Sequence, residues 1–190
     1  MIAAEDTALV LLAAGRSERF GDTDKLTIDY LGRPLGLHVV TALEAIPFAA
    51  RIGVVSDTAL DLATCGYQVV LNERPETGMA RSLRLGVERA METDATAVLI
   101  ALADMPRVTA THVWRLLDYA RGPDTVIASS DGTIPRPPAL FGRDHFGALL
   151  SQTGDQGARD LIRAGHHVVT SPRELIDIDT PEDFARLKDA

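Results

Sequence analysis

The chain has 190 residues, of which 46% are hydrophobic and 24% charged, a balance typical of one globular α/β domain and not of a disordered chain. Its net charge of -8 argues against a nonspecific nucleic-acid binder. A single cysteine, Cys65, excludes an internal disulfide framework and a cysteine zinc cluster.

The start of the chain predicts no membrane association. The first residues lack the basic segment of a signal peptide, and the first apolar run, residues 8–14, is too short to span a bilayer. We therefore expect a cytoplasmic protein that binds neither membrane nor nucleic acid.

Strand-like and helix-like segments alternate along the chain. The predicted strands are residues 8–14, 51–56, 67–71, 97–102, 125–128, 138–141 and 175–178. The predicted helices are residues 34–46, 57–64, 79–91, 109–119, 143–150, 156–164 and a last one that opens at 180–183. This alternation predicts an α/β fold in one domain, residues 1–190, with a doubly wound, mostly parallel sheet. Ligands of such folds bind beyond the carboxyl ends of the strands, so we expect the loops there to carry the chemistry.

The loop after the first predicted strand has the parts that a triphosphate requires. It matches neither a Walker A loop nor a dinucleotide-binding glycine motif. Gly15 and Gly21 let backbone amides approach phosphate oxygens closely. Three basic residues lie in the same loop: Arg16, Arg19 and Lys25. Arginine forks suit terminal phosphates and a lysine suits one phosphoryl group, although a solvated basic loop is the alternative on these residues alone.

Residues 12–21, Leu-Ala-Ala-Gly-Arg-Ser-Glu-Arg-Phe-Gly, followed by Lys25, resemble the signature loop of the nucleotidyltransferases related to the molybdenum cofactor guanylyl- and cytidylyltransferases. The resemblance covers about residues 7–188. It implies a Rossmann-like three-layer α/β/α sandwich of the nucleotide-diphospho-sugar transferase type. It also implies Mg²⁺-dependent transfer of a nucleoside monophosphate to a small phosphorylated acceptor. The loop residues that would bind the nucleotide are Leu12, Ala13, Ala14, Gly15, Ser17 and Gly21.

Asp104 leaves the most apolar predicted strand at its carboxyl end, in Asp-Met-Pro. An aspartate there is well placed to hold Mg²⁺ against phosphate, although Asp-Met-Pro could also be a simple turn. The resemblance favours the metal, because the family carries a metal-binding aspartate in an Asp-x-Pro context.

Residues 177–183, Asp-Ile-Asp-Thr-Pro-Glu-Asp, resemble the closing motif of the same family. On a strand, Asp177 and Asp179 would share one face, because side chains repeat every two residues. Asp179 could instead cap the last helix. Related enzymes place the second magnesium ligand in this motif, and we favour Asp179 while the role of Asp177 stays open.

Two features favour CTP as the donor. The loop begins Ala13-Ala14-Gly15, as in cytidylyl members, whereas guanylyl members resemble Ala-Gly-Gly, and a methyl group leaves less room for a purine. Residues 78–86 also resemble a cytidylyl segment in which Gly78 and Ser82 would bind the nucleotide. A helix cap is the alternative role for Ser82.

Residues 154–159, Gly-Asp-Gln-Gly-Ala-Arg, resemble a segment of the molybdenum cofactor cytidylyltransferases. A helix opened by Gly-Asp is receptive to anions, and an ordinary capped helix is the alternative. The acceptor-binding residues would be Gly154, Asp155, Gly157 and Arg159. The chain departs from the family just before residues 138–141, where Arg136 lies near the position of a usual Gly-His-Pro.

The resemblance implies that CMP passes from CTP to the molybdopterin-bound molybdenum cofactor, with release of pyrophosphate. Lys25, Arg19 and Arg16 would be catalytic, and a molybdenum hydroxylase apoenzyme of the xanthine dehydrogenase type would receive the product. The alternatives are GTP as donor, another phosphorylated acceptor, a regulatory nucleotide-binding module, and a carrier of finished cofactor that has no activity. A carrier would not need Lys25 together with both acidic sites.

Overall fold

A computed structural model of the protein describes residues 1–15, 17–21, 23–155 and 157–189. The strands are β1 (Thr7–Ala13), β2 (Asp29–Tyr30), β3 (Arg33–Pro34), β4 (Ala50–Val55), β5 (Gln68–Leu71), β6 (Ala97–Leu102), β7 (Val126–Ser130), β8 (Pro135–Gly142) and β9 (His166–Val169). The α-helices are α1 (Leu37–Ala42), α2 (Met79–Met91), α3 (Ala110–Tyr119), α4 (Phe146–Leu150), α5 (Arg159–Ala164) and α6 (Pro181–Asp189). Short 3-10 turns include Glu18–Phe20, Lys25–Thr27 and Pro75–Thr77.

Seven strands form one sheet in the order β5-β4-β1-β6-β8-β7-β9, and β2 pairs with β3 in a separate hairpin. Within the large sheet β8 runs antiparallel to both of its neighbours, and the other pairs are parallel. The predicted α/β fold with a mostly parallel sheet is therefore confirmed. Because β8 is reversed, its first residues lie at the edge where β6 ends.

Helices cover both faces of the sheet. The central strand β1 is buried along its whole length, so its alternate side chains supply two cores. Leu9 and Leu11 pack with side chains of α1 and α3 on one face. Val10 and Leu12 pack with side chains of α2, α4 and α5 on the other face. These three layers match the expected α/β/α sandwich.

Among the described residues, no helix is both long enough and apolar enough to cross a bilayer.

Gly86 lets α2 approach the sheet closely. A Cβ atom at this position would lie 2.3 Å from Val10 Cγ1 and 3.2 Å from Val54 Cγ2. We expect Gly86→Ala to lower the free energy of unfolding by about 1–3 kcal/mol. The added methyl group would clash with the stiff side chains of Val10 and Val54, and this cost outweighs the better helix propensity of alanine. Urea denaturation measures the change. Gly147→Ala in α4 is the matched control, since its Cβ would meet nothing within 4 Å, and equal stability of the two variants would contradict the close packing.

Two predicted elements are wrong. Residues 57–64 form no helix, because Leu60 and Leu62 are both buried and this i, i+2 spacing suits an extended segment. Residues 175–178 form no strand: Ile178 N–H donates to the Asp104 carbonyl over 3.0 Å, and β9 takes the sheet edge beside β7. The helix predicted at residues 34–46 is also shorter, since α1 spans only Leu37–Ala42.

Candidate functional site

Two adjoining cavities open where β1 and β6 end. The first has a volume of about 400 Å³ and the second about 420 Å³. The residues that line both are Leu12, Met79, Leu102, Asp104 and Asp179. The cavities therefore meet at two of the carboxylates that the sequence singled out, as expected for ligands of an α/β sheet.

Lys25 is placed by the loop after β1. It opens a 3-10 turn that is capped by Asp24, whose Oδ1 accepts a hydrogen bond from the Leu26 N–H over 3.0 Å. The Lys25 N–H itself donates to Ser17 Oγ over 3.2 Å. These bonds fix the backbone and direct the long side chain inward, so that only 8% of it is exposed.

The ammonium of Lys25 lies between two carboxylates. Its Nζ donates to Asp104 Oδ2 over 2.7 Å, to the Ile178 carbonyl over 2.7 Å and to Asp179 Oδ1 over 3.3 Å. These partners come from widely separated parts of the sequence, so the fold assembles the contact. A lysine satisfied in this way is a fixed positive charge beside the two aspartates that line both cavities.

Asp104 is held by backbone hydrogen bonds on either side. The Ala103 N–H donates to the Leu12 carbonyl over 3.0 Å, and the Asp104 carbonyl accepts from the Ile178 N–H over 3.0 Å. The first bond continues the pairing of β1 with β6, and the second ties the segment before α6 to the same edge. The carboxylate thus has a position set by the sheet rather than by a free loop.

Burial and the neighbouring charges have opposing effects on the pKa values of Asp104 and Lys25. Burial raises the pKa of the Asp104 carboxyl above its usual range, Lys25 opposes that shift, and Asp179 and Asp177 add to it. Burial lowers the pKa of the Lys25 ammonium, but Asp104 and Asp179 outweigh burial and leave the pKa above its ordinary value. The lysine is therefore charged at neutral pH, and one cation serves more than one neighbouring carboxylate.

A divalent cation fits this arrangement of oxygens. Asp104 Oδ1 is buried and has no hydrogen-bond partner among the described residues, and such an orphaned carboxylate oxygen suits a hard cation. No group of three acidic, histidine or cysteine side chains in the described part of the chain could hold a metal ion. Protein ligation would thus come from Asp104 and Asp179, and oxygens of a bound substrate would complete the shell.

Asp179 and Asp177 have different neighbours. Asp179 contacts Lys25, and its Oδ2 lies 3.7 Å from Arg19 Nη1. Asp177 lines only the second cavity, where its Oδ1 lies 3.5 Å from Arg136 Nη1. The shared face expected for the two aspartates rested on a strand that does not form.

We expect Asp179→Asn to reduce turnover at least tenfold more than Asp177→Asn does. Asp179 reaches the charged centre at Lys25, whereas Asp177 pairs with Arg136 at the side of the second cavity. Losing a charged hydrogen-bond partner at a reacting centre costs roughly 1.5–3 kcal/mol, which is a tenfold to hundredfold effect. Steady-state rates of the two purified variants check this. Equal losses would assign both aspartates the same role.

The other predicted site residues fall into four groups. Those that line the first cavity include Ala14, Gly15, Ser17, Arg19, Lys25, Gly78, Ser82 and Asp155. Gly157 and Arg159 line the second cavity. Those that line neither cavity are Ala13, Gly21 and Gly154. Arg16 lies outside the described residues.

The loop of residues 154–155 packs against the start of α2. Gly154 accepts a hydrogen bond from the Ala80 N–H over 3.0 Å. Gly78 has φ of 98°, and a Cβ there would lie 2.6 Å from both Asp155 Oδ1 and the Gly154 carbonyl. Only glycine permits this approach. Asp155, expected to bind the acceptor, is thereby placed in the wall of the first cavity.

Two residues of the site were not assigned from the sequence. Arg136, noted only as a departure from the family pattern, lines the second cavity and lies 3.4 Å from Asp131 Oδ2 through its Nη2. Asn72 follows β5 and donates to Ser82 Oγ over 2.9 Å. Its place directly after a parallel strand was the available signal.

Comparison with known proteins gives a family match over most of the chain. The model of the MobA-like NTP transferase domain matches residues 9–169, which include the loop after β1, Asp104 and α2. The match ends before residues 177–183.

Named relatives align with nearly all of the chain. It is 29% identical to the purine catabolism protein PucB of Bacillus subtilis (strain 168), in an alignment that covers 95% of each chain. It is 25% identical to a molybdenum cofactor guanylyltransferase of Shewanella halifaxensis (strain HAW-EB4), over 95% of this chain and 93% of that one. The relatives thus carry different names.

Solved structures share the fold. Rv0371c from Mycobacterium tuberculosis H37Rv superposes with a TM-score of 0.83 at 28% identity, over 100% of both chains. A structure of the same protein in complex with manganese gives a TM-score of 0.79 at 25% identity, over 97% of this chain and 99% of that one.

Proposed function

We propose a specific reaction for this chain, which belongs to the MobA-like NTP transferase family and is a nucleotidyltransferase. In that reaction the protein transfers CMP from CTP to the molybdopterin-bound molybdenum cofactor and releases pyrophosphate. The observation that carries the proposal is the contact of Lys25 with Asp104 and Asp179 at the junction of two cavities. A donor and an acceptor that occupy separate cavities would bring their reacting phosphates together there. The proposal treats the chain as one domain, and its cytoplasmic location stays a prediction.

The proposed reaction is an in-line displacement at the α-phosphorus of CTP. An oxygen of the acceptor's terminal phosphate forms the new P–O bond, and the bond to pyrophosphate breaks. No general base is needed, because that phosphate is already anionic at neutral pH. Lys25 would support the α-phosphate, and Arg16 and Arg19 would steady the departing pyrophosphate.

Mg²⁺ is the metal that we assign to this site. Asp104 and Asp179 would hold it, because they supply hard carboxylate oxygens beside Lys25 and one of those oxygens is orphaned. When bound, the ion offsets negative charge that develops on the phosphate oxygens. The manganese complex of Rv0371c supports a divalent cation in this fold.

CTP is favoured by the wall of the first cavity. Ala14, the middle residue of the Ala-Ala-Gly sequence, lines that cavity, so its methyl group occupies space that glycine would leave open for a purine. Ser82 lines the same cavity and offers a hydroxyl to a base. GTP is the second candidate, because a relative at 25% identity is named a guanylyltransferase.

The second cavity suits an acceptor with both an anionic group and an apolar body. Its cations are Arg136, Arg159 and Arg163, and its apolar lining includes Ile100 and Phe141. Molybdopterin combines a phosphate with a flat ring system, which fits this composition. PucB is named for purine catabolism, which supports a molybdenum hydroxylase of the xanthine dehydrogenase type as the recipient.

Pyrophosphate release in the presence of Mg²⁺ and molybdenum-loaded molybdopterin tests the proposal, with CTP, GTP and ATP compared side by side. We expect release with CTP and at most a small fraction of that rate with the two purines. Release with GTP alone would retain the mechanism and overturn the base assignment. Binding of CTP without release from any nucleotide would favour a carrier, a regulatory module or another acceptor.

A further inference from the structure

Asn72 lies buried directly after β5 and contacts the first turn of α2. Only 1% of Asn72 is exposed. Its Oδ1 accepts hydrogen bonds from the Arg74 N–H and from Arg81 Nε, each over 3.0 Å. Its Nδ2 donates to Ser82 Oγ over 2.9 Å. Both the oxygen and the nitrogen of the Asn72 side-chain amide are therefore hydrogen-bonded.

These contacts fix which way the amide faces. A backbone N–H and an arginine Nε–H can only donate, so the atom that meets Arg74 and Arg81 must be the amide oxygen. The amide nitrogen then faces Ser82, and it has only protons to offer. Ser82 Oγ must therefore accept from Asn72.

The proton of the Ser82 hydroxyl is consequently available to a ligand. A serine hydroxyl has one proton, and a contact that it accepts leaves that proton for another partner. In the described part of the chain Ser82 Oγ donates no hydrogen bond. Ser82 is 5% exposed, yet it lines the first cavity, so a bound ligand could take up the unused donor.

The wall around Ser82 suits an uncharged group. Glu76 lies in the turn directly before α2, and Asp155 packs against Gly78 at the start of that helix, so both carboxylates line the first cavity near the helix that carries Ser82 and disfavour phosphate there. The cations Arg19 and Lys25 come instead from the loop after β1 and the turn that follows it. A triphosphate would accordingly lie with its phosphates toward Arg19 and Lys25 and its base toward Ser82.

We infer that Asn72 is a positioning residue that fixes Ser82 as a hydrogen-bond donor to an acceptor atom of the nucleobase. The inference rests on the proposed function only in that a nucleoside triphosphate occupies the first cavity. On cytosine the available acceptors are the ring N3 and the O2 carbonyl. Guanine also presents an acceptor, its O6 carbonyl, so the inference holds if GTP proves to be the donor.

Asn72→Asp reverses the polarity of this network at constant size. One carboxylate oxygen still accepts from Arg74 and Arg81, and the other now takes the Ser82 proton, so Ser82 turns lone pairs toward the base. We expect the Kd for CTP, measured by titration calorimetry with Mg²⁺, to rise about tenfold or more. The KM for CTP should rise in parallel while kcat at saturating CTP stays within about twofold, since the change affects binding of the base only.

A double-mutant cycle separates this role from a structural one. Ser82→Ala alone should raise the Kd for CTP about tenfold, because one hydrogen bond to the base is lost. Adding Asn72→Asp to Ser82→Ala should change the Kd little further, because Asn72 acts through Ser82. Gln68→Glu on the exposed edge strand β5 is the matched amide-to-acid control and should leave the Kd unchanged.

Three results would overturn the inference: an Asn72→Asp protein that binds CTP as the wild type does, an equal effect of that change with and without Ser82, or wild-type affinity in Ser82→Ala. If Asn72→Asp does not fold, Ser82→Ala still tests the donor to the base, and wild-type affinity in that variant would overturn the inference. A wild-type protein that binds nucleotide but releases no pyrophosphate would remove the proposed function alone, because the calorimetric comparison still applies. A wild-type protein that binds neither CTP nor GTP would overturn both.

Discussion

Asp104→Asn is expected to abolish nearly all turnover while leaving the fold intact. The change removes the carboxylate charge from the group that contacts Lys25 Nζ at 2.7 Å and that carries the orphaned oxygen. Losing a preorganised charge at the site of phosphoryl transfer lowers kcat by roughly a thousandfold. The shape of the side chain is kept, so the circular dichroism spectrum should not change.

Asp94→Asn is the matched control for this variant. Asp94 is exposed and precedes β6, whereas Asp104 follows the same strand at its other end. We expect wild-type turnover from Asp94→Asn across the Mg²⁺ range. Full activity of Asp104→Asn at low Mg²⁺ would contradict both the metal assignment and the role of this aspartate.

Lys25→Met is expected to reduce both turnover and stability. Methionine fills similar space but leaves Asp104 and Asp179 without the ammonium between them. Breaking a buried ion pair by removing one partner costs about 3–5 kcal/mol of unfolding free energy, which urea denaturation would detect. Without the cation on the α-phosphate, kcat should fall at least a hundredfold.

Adding a divalent cation distinguishes the loss of stability in Lys25→Met from the loss of turnover. Mg²⁺ should restore part of the lost stability, because it offsets the charge of the two carboxylates, but it should not restore turnover. Lys188→Met changes an exposed residue of α6 that contacts the Phe184 ring, and it should preserve both properties. Wild-type kcat in Lys25→Met would overturn the assigned role of Lys25.

The sequence predicts the central elements closely because their apolar patterns have one clear period. Residues 97–102 and 79–91 were predicted as a strand and a helix, and β6 and α2 have those bounds. The edge strand β9 was missed, because His166 and His167 give it no continuous apolar run and its pairing with β7 is a tertiary contact. The helix predicted at residues 57–64 does not form for a similar reason, since tertiary burial of Leu60 and Leu62 overrides local helix propensity.

The site residues also divide into those that the sequence predicts and those that only the fold reveals. Lys25, Asp104 and Asp179 were predicted from motifs that follow buried strands or precede a helix, and the structure brings all three together. Arg136 has no such signal, because it reaches the same edge only through the reversed direction of β8. Asn72 does follow a parallel strand, but its importance depends on hydrogen bonds to Arg81 and Ser82, which a linear sequence does not display.

Transfer of an α-phosphate label tests the nucleotidyltransferase proposal most directly. CTP labelled at the α-phosphorus is incubated with Mg²⁺, molybdenum-loaded molybdopterin and either the wild-type protein or Asp104→Asn. We expect the wild type to move the label onto the acceptor with one pyrophosphate released for each transfer, and Asp104→Asn to move almost none. Release of inorganic phosphate with no label on the acceptor, or equal transfer by the two proteins, would contradict attack at the α-phosphorus in the site around Asp104.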